Sequence, residues 1–188
     1  MPIEFKEAQQ DSARIYPEAR ERVILQGDLV RPVGLKDPDI LFINVPTTFQ
    51  QGVIADGEEP PWGLLRLATA STQIHGLSAG ILDAHRLRLG TNVLESQIRF
   101  IEPKTIGLNP TSMNVPEARQ VADICNKYDI PYVLGGDHAT LDTRIARDDF
   151  PDEDEIVRGS GEIVIGNLVH SLVEQKSEGA DPEDKNEY

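Results

Sequence analysis

The amino-acid sequence predicts a three-layer, doubly wound α/β fold, in which a five-stranded parallel sheet lies between two layers of helices. Short apolar runs alternate with longer segments whose apolar residues recur every three or four positions. The first run is apolar almost throughout, as expected of a strand buried on both faces. Each run ends at Gly, Pro, Asp or Asn, residues that close a strand. Such crossovers are right-handed. We expect a Rossmann-like fold, with the flavodoxin-like strand order 2-1-3-4-5.

The first strand–helix–strand unit begins at residue 40. Residues 40–45 form a strand that Pro46 ends, and we place this strand at the centre of the sheet. Pro60-Pro61 opens a helix, with Pro61 near the first helical position, and Gly76 closes it. One face of that helix is an apolar stripe formed by Leu64, Leu67, Ala68 and Ser71. Residues 79–82 form the second strand, which stops at Asp83.

The later units repeat this alternation. A helix over residues 92–101 leads to a third strand over residues 104–108. Asn114 is the expected N-cap of the next helix, with Glu117 as its capping-box partner. The apolar face of that helix comprises Ala118, Val121, Ala122 and Cys125. Residues 130–134 form a fourth strand ended by Gly135-Gly136, and residues 155–158 form a fifth ended by Gly159. The last helix carries the stripe Ile165, Leu168, Val169 and Leu172.

Three segments follow from this organisation. Residues 1–38 form an N-terminal extension without a clean period, with short helical pieces at 3–14 and 17–25. Residues 39–176 form the α/β domain, and residues 177–188 form an acidic, disordered tail. A second acidic cluster, at residues 148–155, is interpreted as a solvated loop.

Composition excludes several kinds of partner. The chain has 188 residues, enough for one sizeable core, and its formal net charge is −14. That charge repels phosphate backbones and anionic lipids, so we expect neither nucleic acid nor a membrane as partner. The sequence has no bilayer-length apolar run, no secretory signal and a single cysteine. We therefore expect a cytoplasmic protein.

Polar and small residues collect where the strands end. Ligands of parallel α/β sheets bind beyond the carboxyl ends of the strands, where the strand order reverses. The exits contain Asn44 to Thr48, Asp83 to His85, Asn109 to Ser112, Gly135 to Thr140 and Gly159 to Glu162. Such residues allow a large polar ligand to approach the backbone closely, although any strand–helix turn also uses them.

Five ordered segments strengthen the ligand interpretation. They read Pro60-Pro61-Trp62-Gly63-Leu64, Asp83, Pro110-Thr111-Ser112, Leu134-Gly135-Gly136-Asp137-His138-Ala139-Thr140 and Arg158-Gly159-Ser160-Gly161-Glu162. In this order and spacing the chain resembles the cobalamin-binding domain of cobalamin-dependent radical S-adenosylmethionine enzymes. The resemblance covers roughly residues 39 to 172.

The resemblance implies a cobalamin-binding module that holds vitamin B12, a corrinoid, for a separate radical S-adenosylmethionine or methyl-transfer subunit. Gly135 and Gly136 leave room for the nucleotide tail, and the hydroxyls of Thr111 and Ser112 face the tail or the corrin amides. His138 either contacts the ligand or serves as a structural hydrogen-bonding residue. The implied cofactor-binding residues are Pro46, Thr47, Asp83, Pro110, Thr111, Ser112, Gly135, Gly136, His138, Ala139, Gly159, Gly161 and Glu162. Free N–H groups of a helix start at Gly161-Glu162 add to the site, and Glu162 is also explained as a first-turn carboxylate.

Two departures limit what the chain does alone. His85, in Asp83-Ala84-His85, lacks the glycine and the strand position of the cobalt-binding histidine motif, so we expect no protein ligand to cobalt. Cys125 is alone, so this chain holds no iron–sulfur cluster, and we expect it not to be catalytic by itself. No pair of residues at zinc-ligand spacing is present, and we expect no protein-built metal site.

Two other functions stay open. One is a stand-alone enzyme that uses the same crevice for another small ligand, with Asp83, His85, Asp137 and His138 as acid–base candidates. The other is a degenerate interaction domain. If the tail lies against the glycine turn, Gly136→Val is expected to weaken cobalamin binding by at least about tenfold.

Overall fold

The computed structural model describes residues 23–26, 29–32, 36–46 and 60–178. The chain divides into two compact units, residues 1–36 and residues 37–188. In the first unit, β1 (Val23–Gln26) pairs antiparallel with β2 (Leu29–Pro32). The helical piece predicted for residues 17–25 is therefore wrong at residues 23–25, because this cross-strand ladder decides the backbone there. The other predicted piece, at residues 3–14, lies outside the described residues, as does Thr47.

The second unit contains a five-stranded sheet in which every pair of neighbours is parallel. Its strands are β3 (Ile40–Asn44), β4 (Ala79–Asp83), β5 (Ile106–Leu108), β6 (Tyr132–Leu134) and β7 (Glu155–Ile156). They lie in the order β4-β3-β5-β6-β7, which is the predicted 2-1-3-4-5. The predicted fold class is thus confirmed.

Six helices connect and cover these strands in the described part of the second unit. They are α1 (Trp62–Gln73), α2 (Thr91–Ile101), α3 (Val115–Lys127), α4 (Gly136–Leu141), α5 (Thr143–Asp149) and α6 (Ile165–Glu178). Side chains of α1 and α6 pack with Ile40 and Phe42 in one core cluster. Leu41 and Ile43, which alternate with them along β3, are also fully buried. Both faces of the central strand are therefore covered.

The short helices α4 and α5 were not predicted. Asp142 separates them, and its side chain accepts hydrogen bonds from the backbone N–H groups of Arg144 (3.0 Å) and Ile145 (3.4 Å). Helices of six and seven residues are too short for an apolar period to reveal. The acidic cluster at 148–155 is also not simply a solvated loop. Asp149 ends α5, and Asp154 Oδ2 accepts a hydrogen bond from Tyr132 N at 2.7 Å.

Two helix boundaries differ from the prediction. Pro61 is the N-cap of α1 rather than its first residue. Helix α6 begins at Ile165, because Gly161 O accepts the N–H groups of Val164 (3.1 Å) and Ile165 (2.9 Å) and forms a turn first. It ends at Glu178, so residues 177 and 178 are helical rather than part of a tail. None of the described helices is both long and apolar enough to cross a bilayer.

Candidate functional site

The site begins at the two central strands. Strand order reverses between β3 and β5, so the segments that follow these strands lead to opposite sides and leave a crevice between them. Asn114 links the two exits: its Nδ2 donates to Val45 O (3.3 Å) and its Oδ1 accepts from Thr111 N (2.7 Å). Asn114 does occupy the N-cap of α3, but its side chain makes no capping hydrogen bond. The predicted capping box is wrong, because this side chain joins two loops instead.

A narrow cavity of about 50 Å³ lies beside this crevice, between the ends of β5, β6 and β7 and the helices α1 and α6. Leu64, Leu67, Val157 and Ile165 supply apolar walls. Five glycines also line it, namely Gly107, Gly135, Gly136, Gly159 and Gly161. Four of these five were among the predicted cofactor-binding residues. The sequence therefore located most of the glycine lining, although it missed Gly107 inside β5.

The fold itself explains several of these glycines. Gly136 and Gly159 have φ values of +80° and +74°, which side chains disfavour. A Cβ at Gly136 would also lie 3.1 Å from Asn109 Cβ, and one at Gly107 would lie 2.5 Å from the Phe42 ring. At Gly161 the nearest atom is the flexible Cδ2 of Leu67, at 3.0 Å. Backbone conformation thus accounts for Gly136 and Gly159, and packing against Phe42 accounts for Gly107, without a ligand.

Gly135 differs from the others. Its φ of −142° and ψ of −160° are extended values that any residue adopts. A Cβ there would come no closer than 3.9 Å to a described atom, the carbonyl oxygen of Val157. Gly135 N also donates to Leu108 O at 2.8 Å, an ordinary strand hydrogen bond. Neither strain nor packing explains glycine at this position, which lines the cavity.

His138 belongs to a hydrogen-bonded row at the neighbouring strand exits. Its Nδ1 lies 3.4 Å from Ser112 Oγ, and its Nε2 lies 3.0 Å from Asp149 Oδ2. Arg119 holds Asp149 by an ion pair of 2.5 Å. The imidazole is only 7% exposed and packs edge-on against Phe150. Ser112 and Asp149 engage both ring nitrogens of His138. In the row Ser112–His138–Asp149, Ser112 is the exposed member.

The β4 exit forms a separate hydrogen-bonded group. Asp83 Oδ1 accepts from Asn44 Nδ2 (2.8 Å) and from Arg86 N (3.0 Å), which fixes the turn after β4 to the end of β3. His85 lies in that turn, and its N–H donates to Asn44 O at 3.0 Å. Asp83 is thus bonded within this turn, whereas His138 is bonded to Asp149. Among the other predicted residues, Pro46 is partly buried, whereas Pro110 and Ala139 are buried.

Glu162 lies before α6, so it is not the first-turn carboxylate that the sequence suggested. Arg66 on α1 pairs with its Oε1 at 2.9 Å, and the Ser160 hydroxyl donates to its Oε2. The Ser160 hydrogen bond, the backbone and Arg66 together hold the pKa of Glu162 below its ordinary value, against the effect of partial burial. The Glu162 carbonyl oxygen lies 2.8 Å from His75 Nε2. Glu162 therefore attaches the loop before α6 to α1, at one side of the cavity.

Two residues near the site were not among the predicted cofactor-binding residues. Asp149 lies within the acidic cluster, and nothing in its local pattern marks it as the partner of His138. Asn109 directly follows β5 and lines the cavity. Its Oδ1 is buried, and no described group donates a hydrogen bond to it. Position at a strand end was a signal for Asn109, but the unpartnered oxygen became visible only in three dimensions.

Within the described residues, no three His, Cys, Asp or Glu side chains cluster suitably for an ion. Cys125 is fully buried, and burial raises the pKa of its thiol to about 12. The thiol is therefore a packed side chain of α3, as its place on the apolar face predicted.

Fold and site together define a doubly wound α/β protein with a glycine-lined cavity at the carboxyl edge of its sheet. No protein-family model matches the chain. A protein of Pyrococcus horikoshii named as an uncharacterized methyltransferase is 27% identical over 140 residues. The match covers 73% of this chain and 30% of that relative, so the chain spans about a third of its length. The chain is thus similar to one part of a larger protein that is named a methyltransferase.

Proposed function

We propose that this chain is a corrinoid-binding module, which holds cobalamin at the carboxyl edge of its sheet for a partner radical or methyl-transfer enzyme. The residues at the strand exits would hold the corrin, and the glycines that line the cavity would hold the nucleotide tail. Bound cobalamin would supply a cobalt centre able to carry a methyl group. The name of the Pyrococcus relative is consistent with methyl transfer.

Gly135 is the observation that carries the proposal. The fold requires no glycine at this position. Because Gly135 lines the cavity, a side chain there would take up space at the cavity wall. A ligand that lies against this backbone gives a physical reason for glycine, since a Cβ would occupy the same space. Gly135 also belongs to one of the five ordered segments in which the chain resembles cobalamin-binding domains, which supports the proposal.

Exposed apolar side chains near the strand exits suit a wide, partly apolar ligand. Trp62, Leu141 and Ile163 are 60%, 80% and 78% exposed. They lie on the segments that follow β3, β6 and β7. Large exposed apolar residues often mark binding surfaces, and a corrin presents both apolar edges and amide groups. Ser112 and Thr111 offer hydroxyls to those amides.

Titration with hydroxocobalamin tests the proposal. We expect wild-type protein to shift the absorption bands of the corrin and to release heat in a saturable calorimetric titration. Gly135→Ala should weaken binding and Gly135→Val should weaken it further, while both variants unfold at the wild-type denaturant midpoint. Gly90→Ala is the matched control, because Gly90 does not line the cavity and a Cβ there meets no atom within 4 Å. Saturation of wild type and Gly135→Val with equal affinity would contradict the proposed tail position.

The cobalt environment is tested separately. We expect His85→Ala to leave the cobalt-sensitive absorption bands of the bound corrinoid unchanged, because no protein imidazole is proposed as a cobalt ligand. A band shift in His85→Ala alone, with Gly90→Ala unchanged, would assign a ligand role to His85. The methyl-transfer or radical partner would be identified separately, by its effect on methylcobalamin that is bound to this chain.

A stand-alone enzyme is the second candidate, and the row Ser112–His138–Asp149 favours it. The order hydroxyl, imidazole, carboxylate is that of a nucleophile with its base and orienting acid, although the ring nitrogens are exchanged relative to serine hydrolases. An organophosphonate that labels serine nucleophiles distinguishes the two candidates. Stoichiometric labelling of Ser112 that is lost in His138→Gln would support the enzyme, whereas no labelling together with corrinoid binding would support the module.

A further inference from the structure

The Thr111 hydroxyl at the β5 exit donates its hydrogen within the protein. Its Oγ1 lies 3.2 Å from Asn114 Oδ1, an amide oxygen that only accepts hydrogen bonds. The same amide oxygen accepts the backbone N–H of Thr111 at 2.7 Å. Pro110, the residue before, has no backbone N–H. Thr111, which is partly exposed, therefore presents the lone pairs of its hydroxyl, and not its hydrogen, to a ligand.

The Ser112 hydroxyl is committed in the same way. Asp149 Oδ2 lies 3.0 Å from His138 Nε2 and only accepts, so Nε2 carries the hydrogen when the ring is neutral. His138 Nδ1 then accepts from Ser112 Oγ, 3.4 Å away. Ser112 is exposed, so the lone pairs of its oxygen are open to a ligand while its hydrogen is used.

We propose that the β5 exit selects carboxamide groups of the corrinoid over carboxylate groups, because Thr111 and Ser112 offer hydroxyl oxygens that only accept. This inference rests on the proposed corrinoid function and adds a specificity for the side chains of the corrin. An amide N–H donates to either hydroxyl oxygen. A carboxylate has no hydrogen to donate, so its oxygens would face the oxygens of Thr111 and Ser112. The formal net charge of −14 adds repulsion between the protein and a carboxylate.

The stereochemistry of cobalamin indicates which amides are concerned. The nucleotide tail and the three free propionamides project from the lower face of the corrin, whereas the acetamides project from the upper face. Because the glycines that line the cavity would hold the tail, the lower face would be turned toward the strand exits. A propionamide is therefore the group that would meet Thr111 and Ser112.

Two kinds of cobalamin analogue separate hydrogen-bond polarity from charge. In one, a single propionamide is hydrolysed to a carboxylate. In the other, the same group is a methyl ester, which is uncharged but has no N–H. Each analogue is made at each of the three propionamide positions and titrated at pH 8, where an imidazole is ordinarily neutral. For at least one position we expect the ester to bind wild type about tenfold more weakly than cobalamin, and the carboxylate to bind more weakly still.

Substitution of the two hydroxyl residues tests whether they cause this preference. Thr111→Val with Ser112→Ala removes both acceptors, so we expect cobalamin and the ester to differ by less than about threefold in this double variant. Ser112→Ala alone changes an exposed residue, should unfold at the wild-type denaturant midpoint, and should lose part of the preference. Ser96→Ala is the matched control, because the Ser96 hydroxyl also donates within the protein, to Asn92 O at 2.9 Å, but lies on α2.

Three results would contradict the inference in different ways. Esters at all three positions that bind wild type as tightly as cobalamin would overturn it. A preference for the amide that persists unchanged in Ser112→Ala and in the double variant would overturn it too, because other groups would then cause the preference. Corrinoid binding stands in both cases. Failure of cobalamin itself to bind would instead refute the proposed function and the inference with it.

Discussion

Asn114 Nδ2 donates a hydrogen bond to the carbonyl oxygen of Val45 across the point where strand order reverses. The two residues are 69 positions apart, and Asn114 is only 6% exposed. The same side chain accepts from Thr111 N, so one amide joins the exits of β3 and β5. The rim of the crevice is therefore held by a side chain, at a place where the sheet ladder has ended.

Removal of this amide should loosen the crevice. Asn114→Ala leaves Val45 O and Thr111 N without their partner, so we expect the free energy of unfolding to fall by about 2 kcal/mol. Asn114→Asp keeps an acceptor for Thr111 N but places a buried carboxylate oxygen against Val45 O in place of the donor, so its loss should be larger than that of Asn114→Ala. Urea unfolding measures both. A loss in Asn114→Asp no larger than that in Asn114→Ala would mean that Val45 O does not require a donor from this side chain.

Substitutions at Gly135 and Gly136 distinguish backbone strain from the loss of space for a ligand. Gly136 has a positive φ and a Cβ there would meet Asn109 at 3.1 Å, so Gly136→Ala or Gly136→Val should destabilise the fold by about 1–3 kcal/mol. Gly135→Ala should change stability by less than about 0.5 kcal/mol. The expected effect of Gly136→Val on cobalamin affinity is thus confounded by strain. Comparison of urea midpoints for the two positions tests this assignment, and equal destabilisation would refute it.

The His138 ring should occupy one tautomer. The Asp149 carboxylate can only accept a hydrogen bond, so when the ring is neutral its hydrogen lies on Nε2, which donates to Asp149 Oδ2, and Nδ1 accepts from the Ser112 hydroxyl. Long-range proton–nitrogen NMR should show this form in wild type and a mixture in Asp149→Asn. Ser112→Ala serves as control and should keep the Nε2–H form. A dominant Nδ1–H signal in wild type would reverse the proposed row.

Asp39 should make stability depend on pH in the acid range. Partial burial, the largest single influence, raises the pKa of Asp39, but hydrogen bonds from Lys104 and Ser78 together lower it below its ordinary value of 3.8. Because the folded pKa is depressed, the stabilisation is complete above about pH 5 and is lost as pH falls through the lowered value.

We therefore expect Asp39→Asn to lower the free energy of unfolding by about 1 kcal/mol at neutral pH, with the difference from wild type vanishing near pH 2. Lys104→Met removes the partner that lies 2.8 Å from Asp39 Oδ1 and should have a similar effect at neutral pH. The double variant should cost less than the sum of the two. Strict additivity would show that the pair does not act as a unit.

Cys125 should be inert in the folded protein. Burial raises the pKa of its thiol to about 12, so almost no thiolate forms at pH 8. We expect a thiol reagent to modify it only at the rate of unfolding, with one thiol per chain released in denaturant. Rapid modification under native conditions would show that α3 opens locally. Cys125→Ala, which removes the thiol, is the blank.

The strands, the helices between them and the strand exits followed from local features. Continuous apolar runs such as residues 40–45 indicate strands, and the helical stripes between them require crossovers of one hand. These rules act over neighbouring residues, so one sequence is enough to apply them. They also placed Gly135, Gly136, Gly159 and Gly161 at strand exits, where the structure brings all four to one cavity.

Tertiary structure decided the partners of individual polar atoms. The sequence predicts that the Asn114 side chain caps a helix. In the structure its Nδ2 donates to Val45 O instead, and it makes no capping hydrogen bond. The acidic cluster that contains Asp149 was interpreted as a solvated loop. In the structure Asp142 separates α4 from α5 and caps α5, and Asp149, at the end of α5, lies 3.0 Å from His138 Nε2. Gly135 and Gly136 are identical neighbours in sequence, and only their backbone angles and surroundings distinguish a strained turn from an open cavity wall. Apolar periodicity records which faces are buried, whereas a hydrogen bond depends on the position of two atoms to within a few tenths of an ångström, which the packing of distant segments determines.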